Sequence, residues 1–289
     1  MMSQKQVQQA AKQIKMVVLD IDGTSINSSG ELTKRTHRSI QALVEKGYLV
    51  VPATGRGSYR LLEDTLRLRG GRYVISANGA VITDCKNGIR LWERLIPCKE
   101  AATLASDLLE EGNCVYLHRN DIVSTHIMAC PSKTDYARLR RPDWPPMEQV
   151  LTQGLDDYIL QDGRDVIKIG LCFTRPDGFT RYESLQKKMH SQLNCFRVDN
   201  QALEFTNGNA SKGAALRELA QLLGLAPQEI CAIGDNGNDI EMLEYAGLGV
   251  AMQNATAEAR TKADYITESN DADGVALFAE RFLFCKKDS

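Results

Sequence analysis

The stretch Val17-Val18-Leu19-Asp20-Ile21-Asp22-Gly23-Thr24 constrains this chain more than any other. A short apolar run ends in two acids that flank a single residue, and a glycine then breaks the run. Side chains at i and i+2 of a strand lie on one face. At a strand end, where the backbone begins to turn, Asp20 and Asp22 can both reach one pocket. Carboxylates at such range repel unless a cation or a proton lies between them. That arrangement serves chemistry rather than stability. The plainer reading is a strand followed by an acidic glycine turn, since Asp-Gly is common turn chemistry.

The flanking pattern bears on the choice. Lys15 to Leu19 reads as a buried strand and Asp20 to Gly30 as a polar loop. Thr33 is placed to cap a helix over Lys34 to Lys46, with Ile40, Leu43 and Val44 on its apolar face and Gly47 as its stop. Tyr48 to Ala53 is the next strand and leads into Thr54-Gly55-Arg56. Pro52 removes a ladder donor there, which is tolerable where pairing ends. A helix over Tyr59 to Leu68 and a strand over Tyr73 to Ser76 follow. Asn78-Gly79 is hairpin-turn chemistry, and Ala80 to Thr83 with Ile89 to Trp92 reads as a β-pair. The order β-α-β-α-β predicts a parallel sheet with helices on its faces. Ligands of such sheets bind beyond the carboxyl ends of the strands, where Asp20, Asp22 and Thr54 all fall.

The pattern changes after Leu95. A helix over Glu100 to Glu110 precedes a β-pair, Cys114 to Leu117 and Ile122 to His126. Pro131 to Pro146 reads as loop with one short helix and holds the basic cluster Arg138-Leu139-Arg140-Arg141, which reads as a solvated face, with anion binding as the lesser alternative. Strands over Asp165 to Phe173, Cys195 to Val198 and Leu203 to Thr206, with a helix over Gly178 to Gln192, complete an α+β layer inserted into the first domain. From Ser211 the first pattern returns. Ser211 caps a helix to Leu223, which Gly224 stops. Glu229 to Ile233 is a buried strand ending in Gly234-Asp235-Asn236-Gly237-Asn238-Asp239. A helix from Asp239 to Tyr245, a strand over Leu248 to Met252, a helix over Ala255 to Lys262, a strand over Tyr265 to Thr267 and a helix over Asp273 to Phe282 close the chain.

Composition sets outer bounds. A chain of 289 residues holds one large domain or two modest ones. A net charge of −2 argues against a general nucleic-acid binder. No apolar run reaches bilayer length, and the polar, Gln-rich start does not read as a secretory signal. Eight cysteines form no C-x-x-C pair, so reduced thiols and a cytoplasmic location are expected. Cys114, His118 and His126 fall on strands rather than in a closed ligand knot, which argues against a metal site there.

A second acid pair, Asp235 and Asp239, sits at another strand end. With Asp20 and Asp22 it makes an oxygen-rich site without cysteine or histidine, suited to Mg²⁺ over Zn²⁺. Thr54 adds a hydroxyl and Lys212, just inside a helix N-terminus, a cation. Together they make an anion cradle whose natural occupant is phosphate. Singly, Thr54 could merely end a strand, Lys212 lie on the surface and Asp239 favour a helix N-terminus. All of these would have to hold at once.

Asp20-Ile21-Asp22-Gly23-Thr24, Thr54-Gly55-Arg56, Ser211-Lys212-Gly213 and Gly234-Asp235-Asn236-Gly237-Asn238-Asp239 resemble, as a set, the motifs of the haloacid dehalogenase superfamily. Asn78-Gly79-Ala80 and Leu203-Glu204-Phe205-Thr206 are similar to its Cof-type hydrolases. The resemblance implies an α/β fold: a Rossmann-like parallel-sheet core over 1–94 and 207–289, with an α+β cap over 95–206 that selects substrate. It further implies a Mg²⁺-dependent phosphatase of small phosphorylated metabolites, such as sugar phosphates or phosphorylated cofactors. Asp20 would be the nucleophile that forms an aspartyl-phosphate and Asp22 the general acid and base. Asp20, the backbone carbonyl of Asp22 and Asp235 would hold Mg²⁺. Lys212 would offset charge, and Thr54, Gly55 and Asn238 would bind the phosphoryl oxygens. Asp239 would orient the ligands or Lys212, and Arg56 would point toward cap and substrate. Ser25 departs from the pattern, standing where an apolar residue usually follows. A phosphomutase on sugar phosphates and a non-catalytic phosphometabolite sensor are the alternatives. Substrate identity and oligomeric state are left open.

Overall fold

The computed structural model describes residues 1–57, 71–119, 126–139, 149–151, 154–175, 177–178, 193–197 and 201–284. The chain divides into two compact units, Met1–Glu93 with Ser211–Ser289, and Arg94–Ala210. In chain order the strands are β1 (Met16–Asp20), β2 (Leu49–Ala53), β3 (Tyr73–Ser76), β4 (Val81–Asp84), β5 (Ile89–Glu93), β6 (Cys114–His118), β7 (His126–Ala129), β8 (Gln149–Leu151), β9 (Lys168–Cys172), β10 (Leu193–Arg197), β11 (Ala202–Asn207), β12 (Ile230–Gly234), β13 (Leu248–Ala251) and β14 (Tyr265–Ile266).

The first unit is built on an eight-stranded sheet ordered β14-β13-β12-β1-β2-β3-β4-β5. Pairing is parallel from β14 to β3 and antiparallel through β4 and β5. β1 and β12 are buried along their whole length, as strands with both faces covered must be. From β1 the chain steps out through β2 and β3 on one side, then resumes at β12 on the other. The gap between β1 and β12 is therefore a topological switch point, where such sheets bind ligands. Leu19 pairs with Ile233, so Asp20 and the turn after Gly234 leave the sheet side by side.

The helices that flank this sheet start and stop where local chemistry demands. Thr33 accepts the Thr36 amide and caps the helix Lys34–Glu45, which buries Ile40 and Leu43. Ser211 accepts the Ala214 amide and caps Lys212–Leu223, which buries Ala215, Leu216, Leu219 and Ala220 and ends at Gly224 in the left-handed conformation. Each fully buried leucine or isoleucine of this core contributes about 1.5–3 kcal/mol. The start of the chain forms a helix, Gln4–Ala11, with Val7 and Ala11 buried. The helix expected over Tyr59 to Leu68 lies outside the described residues. Asp239 closes a 3₁₀ turn, Gly237–Asp239, and the α-helix begins only at Ile240. The last helix is α over Gly274–Phe278 and widens to a π turn over Ala279–Leu283.

The second unit carries a six-stranded sheet ordered β10-β11-β9-β6-β7-β8, antiparallel except for β7 with β8. Val115, Leu117, Ile169, Leu171, Leu203 and Phe205 alternate onto one face and pack with residues of the helices Cys98–Glu110 and Leu155–Asp162. Of the strand expected over Ile122 to His126 only His126 is described, and there β7 runs on to Ala129. Pairing of His118 with His126 and Val115 with Ala129 sets that position. Residues 122–125, and residues 179–192 of the helix expected over Gly178 to Gln192, lie outside the described residues. The short helix in the Pro-rich segment is Lys133–Leu139, and Arg138 at its end is exposed and bonded to Asp135 and the Thr174 carbonyl. No helix among the described residues is long and apolar enough to cross a membrane. The observed architecture is the expected α/β class, with a parallel-rich sheet in the first unit and an α+β second unit.

Candidate active site

The carboxyl end of β1 delivers Asp20 to the first cluster of the site. Lys212, the first residue of its helix, reaches it from the side, with Nζ 2.5 Å from Asp20 Oδ1 and 2.6 Å from Asp239 Oδ1. All three side chains are shut off from solvent. The remaining oxygen of Asp239, Oδ2, accepts the backbone amides of Asp235 at 2.9 Å and Asn236 at 3.0 Å. Asp239 thus fixes both the lysine and the turn after β12, which is more than helix N-terminal preference asks of it. Gly213 lets the helix approach, since a Cβ there would lie 2.3 Å from Glu241 Cβ.

Asp235 enters from the end of β12. Thr24 Oγ1 donates to its Oδ1 at 2.8 Å. Gly23 holds a φ of +84°, and a Cβ on it would lie 2.5 Å from Asp235 Oδ2, so glycine is needed for both reasons. Carboxylate oxygens of Asp20, Asp235 and Asp239 all lie within 4.8 Å of one another. Burial, then the charge of Asp239, pushes the Asp20 carboxyl well above its ordinary range, with Lys212 pulling the other way. Burial chiefly raises Asp235 too, against the Thr24 bond. Burial pulls Lys212 down, but Asp20 and Asp239 outweigh it and the ammonium is held above its usual range.

Three carboxylates around one ammonium leave a surplus of negative charge. A divalent cation between Asp20 and Asp235 would remove it, and the all-oxygen donor set suits a hard ion of the Mg²⁺ kind. Asp239 already has both oxygens engaged, so the pair Asp20 and Asp235 fits the ion best. The Asp22 carboxylate is not in this cluster. It is exposed and receives the fork of Arg56, with Nε 2.8 Å from Oδ2 and Nη2 bonded to Oδ1.

The segment after β2 and the turn after β3 build the other side. The Thr54 amide donates to the Ile75 carbonyl at 2.9 Å, and its hydroxyl oxygen accepts the Arg56 amide at 3.1 Å. Accepting that bond leaves the hydroxyl hydrogen to be donated. Asn238 Nδ2 donates to Asn78 Oδ1 at 2.9 Å, and Asn78 also lies against Gly55. Pro52 sits one residue before the end of β2, where the ladder to β3 has a single registered pair at Ala53. Ser25 is buried and donates to the Asp20 carbonyl at 2.6 Å, so its hydroxyl is accommodated by a bond rather than by apolar packing.

Asp20, Lys212, Asp235 and Asp239 thus form one connected cluster, Asp22 with Arg56 a pair, and Thr54, Gly55 and Asn238 lie on segments joined by Asn78. Thr24, Asn78 and Asn254 carry contacts that the sequence reading gave no role; Asn254 Nδ2 donates to the Gly23 carbonyl at 2.8 Å. Thr24 and Asn78 did stand inside quoted motifs, but Asn254 had no local signal, since its partner is remote in sequence.

A family model described as haloacid dehalogenase-like hydrolase matches residues 17–278. The 5-amino-6-(5-phospho-D-ribitylamino)uracil phosphatase YwtE of Bacillus subtilis is 28% identical, with 93% of this chain and 98% of that protein covered. Phosphatase YwpJ of the same organism is 28% identical over 93% of this chain and 100% of its own. Among solved structures, a haloacid dehalogenase-like hydrolase from Bacteroides thetaiotaomicron superposes with a TM-score of 0.75 at 27% identity, covering 93% of this chain and 99% of that one.

Proposed function

This chain belongs to the haloacid dehalogenase-like hydrolases, and from that premise we propose that it is a Mg²⁺-dependent phosphatase working through an aspartyl-phosphate on Asp20. It is an enzyme, and its relatives YwtE and YwpJ are named phosphatases. The observation that carries the proposal is the buried Asp20 carboxylate at the switch point, with the Lys212 ammonium 2.5 Å from one oxygen. A carboxylate kept from water beside a fixed cation is a nucleophile whose charge is balanced without a hydration shell.

In the first step an Asp20 oxygen attacks phosphorus and the bond from phosphorus to the leaving alcohol breaks. Asp22, protonated and released from the Arg56 fork, gives that alcohol its proton. In the second step Asp22 takes a proton from water, the water oxygen attacks phosphorus, and the bond to Asp20 breaks to release inorganic phosphate. The Thr54 hydroxyl hydrogen, the second Asn238 Nδ2 hydrogen and the Gly55 amide are suited to bind phosphoryl oxygens. Lys212 offsets charge on Asp20 and phosphate, and Asp239 keeps it in place. Arg56 holds the Asp22 carboxylate and is the candidate substrate contact. Asp20, Asp235 and the Asp22 backbone carbonyl would hold Mg²⁺, which supplies Lewis-acid stabilisation of the phosphoryl group when bound. The second unit is assigned substrate choice.

The substrate class is small phosphorylated metabolites. YwtE is named for a phosphorylated ribitylamino pyrimidine, so phosphorylated polyols join sugar phosphates and phosphorylated cofactors in the panel to assay. The test measures inorganic phosphate release by the wild type and by Asp20→Asn, with Mg²⁺ and with EDTA. Release by the wild type with Mg²⁺ alone supports the reading. Near-wild-type turnover by Asp20→Asn overturns the nucleophile, and undiminished turnover in EDTA overturns the metal. Isomerised product without phosphate release points to a phosphomutase, and tight binding without turnover to a sensor.

A further inference from the structure

We propose that Asn78 is a positioning residue for phosphate binding, acting through Asn238 and Gly55. This rests on the phosphatase reading above and on a turn that reading does not use. Asn78 is buried, with φ +55°, and stands between Ala77 at φ +49° and Gly79 at φ +90°. Three successive residues in the left-handed region are costly for all but glycine and, to a lesser degree, asparagine. Local strain of this kind persists where surrounding structure over-determines it.

The surroundings do so at several points. The Ala77 amide donates to the Arg56 carbonyl at 2.9 Å and the Asn78 amide to the Thr54 carbonyl at 3.0 Å. The turn therefore grips the Thr54-Gly55-Arg56 segment by its backbone. Asn78 Oδ1 accepts from Asn238 Nδ2 at 2.9 Å and would lie 2.9 Å from a Cβ on Gly55. On its other flank, Gly79 packs so close to the Ser211 carbonyl that a Cβ would meet it at 2.1 Å, and Ser211 caps the helix that carries Lys212. One three-residue turn thus touches the segments of all the proposed phosphate-binding groups.

The carboxamide has a specific consequence. Asn238 is only partly buried, and on a short side chain its amide would otherwise rotate among rotamers. By accepting one Nδ2 hydrogen, Asn78 fixes the plane of the Asn238 amide and so the direction of the other hydrogen. By lying against Gly55 it sets the path of that backbone. Asn78 does not itself contact the reacting atoms.

A double-mutant cycle tests this. Asn78→Gly removes the carboxamide and keeps a residue that adopts φ +55° freely, so the turn is retained. The expected result for Asn238→Ala is a rise of about tenfold to a hundredfold in KM for a turned-over phosphate ester, and a matching rise in the inhibition constant of inorganic phosphate, the scale of one bond to a charged group. Asn78→Gly should reproduce most of that rise, and the double variant should fall well short of the product of the two single effects, any loss beyond Asn238→Ala being the part that runs through Gly55. Multiplication of the two effects, or wild-type phosphate affinity in Asn78→Gly, overturns the positioning role. If Asn238→Ala leaves phosphate affinity unchanged, the underlying assignment of Asn238 to phosphate fails and the proposal with it. Circular dichroism and thermal melting check the fold. If Asn78→Gly does not fold, Asn78→Ser, too short to reach Asn238, runs the same cycle with the same outcomes.

Discussion

Lys212 lies 2.5 Å from Asp20, and neither side chain meets solvent. Such a pair gains its attraction in a low-dielectric site but has given up the hydration of both charges. Here Asp239 holds the lysine from the other side at 2.6 Å, so the ammonium serves two carboxylates. Its worth lies less in net stability than in pulling the Asp20 carboxyl back toward its ionised form, against burial and the charge of Asp239.

Lys212→Met should therefore damage both activity and stability. Removing one partner of a buried ion pair costs about 3–5 kcal/mol because the other charge is left uncompensated. The variant should melt earlier in urea by that amount and show no measurable phosphate release. Adding Asp239→Asn to Lys212→Met removes one of the orphaned charges and should recover part of the stability but none of the activity. A Lys212→Met protein as stable as wild type would contradict the buried pair.

The Asp20 and Asp235 carboxyls are both raised above their ordinary value of 3.8, burial being the first cause in each. A raised folded-state value means that the unfolded chain releases these protons first as pH climbs. Their contribution to stability is present below the ordinary carboxylate range and is lost as pH rises through the raised values. A divalent cation that binds the ionised pair offsets that loss and stabilises by mass action. Thermal melting with EDTA and with Mg²⁺ should show a gain in Tm from Mg²⁺ that is larger at about pH 8 than at about pH 5. Equal gains at both would separate the cation from these carboxyls.

Arg56 and Asp22 make a different kind of pair. Their side chains are 31% and 55% exposed, so the pair is worth no more than about 0–1 kcal/mol to the fold. Arg56→Ala should leave Tm within a degree or two. If Arg56 holds the Asp22 carboxylate in place for the step in which it takes a proton from water, kcat should nevertheless fall by about tenfold to a hundredfold. Arg56→Lys should restore little of it, because a lysine cannot reproduce the two-pronged fork. Steady-state kinetics alongside a melting curve reads both. Unchanged kcat in Arg56→Ala would limit Arg56 to a surface contact.

How far these groups were legible in sequence follows from the range of the signal. Asp20 and Asp235 stand at the ends of short apolar runs, and burial of both faces of a central strand writes that run into the sequence. The caps at Thr33 and Ser211 and the stop at Gly224 are local side-chain chemistry, and each was placed correctly. Ile127 to Ala129 were not read as strand, and it is pairing with β6 that makes them one. The helix Leu155–Asp162 went unread because it buries only Leu155 and Ile159, one short stripe without a repeat. Asn78 read as a turn, which it is, but its bond to Asn238 spans 160 positions and no periodicity can encode that.

Gly79→Ala separates backbone strain from close packing. Gly79 has φ +90°, and a Cβ there would stand 2.1 Å from the Ser211 carbonyl oxygen and 2.6 Å from the Lys212 amide nitrogen. Both neighbours are backbone at the start of a helix, so the clash is relieved only by moving that helix end. Gly88 makes the comparison, with φ +67° and nothing within 4 Å of an added Cβ. Gly88→Ala should cost about 1–2 kcal/mol for the left-handed conformation alone. Gly79→Ala should cost that plus about 1–3 kcal/mol for overpacking, read as an earlier urea midpoint. Phosphate release should fall in Gly79→Ala and not in Gly88→Ala, because the displaced helix end is the one that carries Lys212 to Asp20. If the two variants lose equal stability, the approach of the turn to Ser211 is looser than the distances imply, and activity should then survive in both.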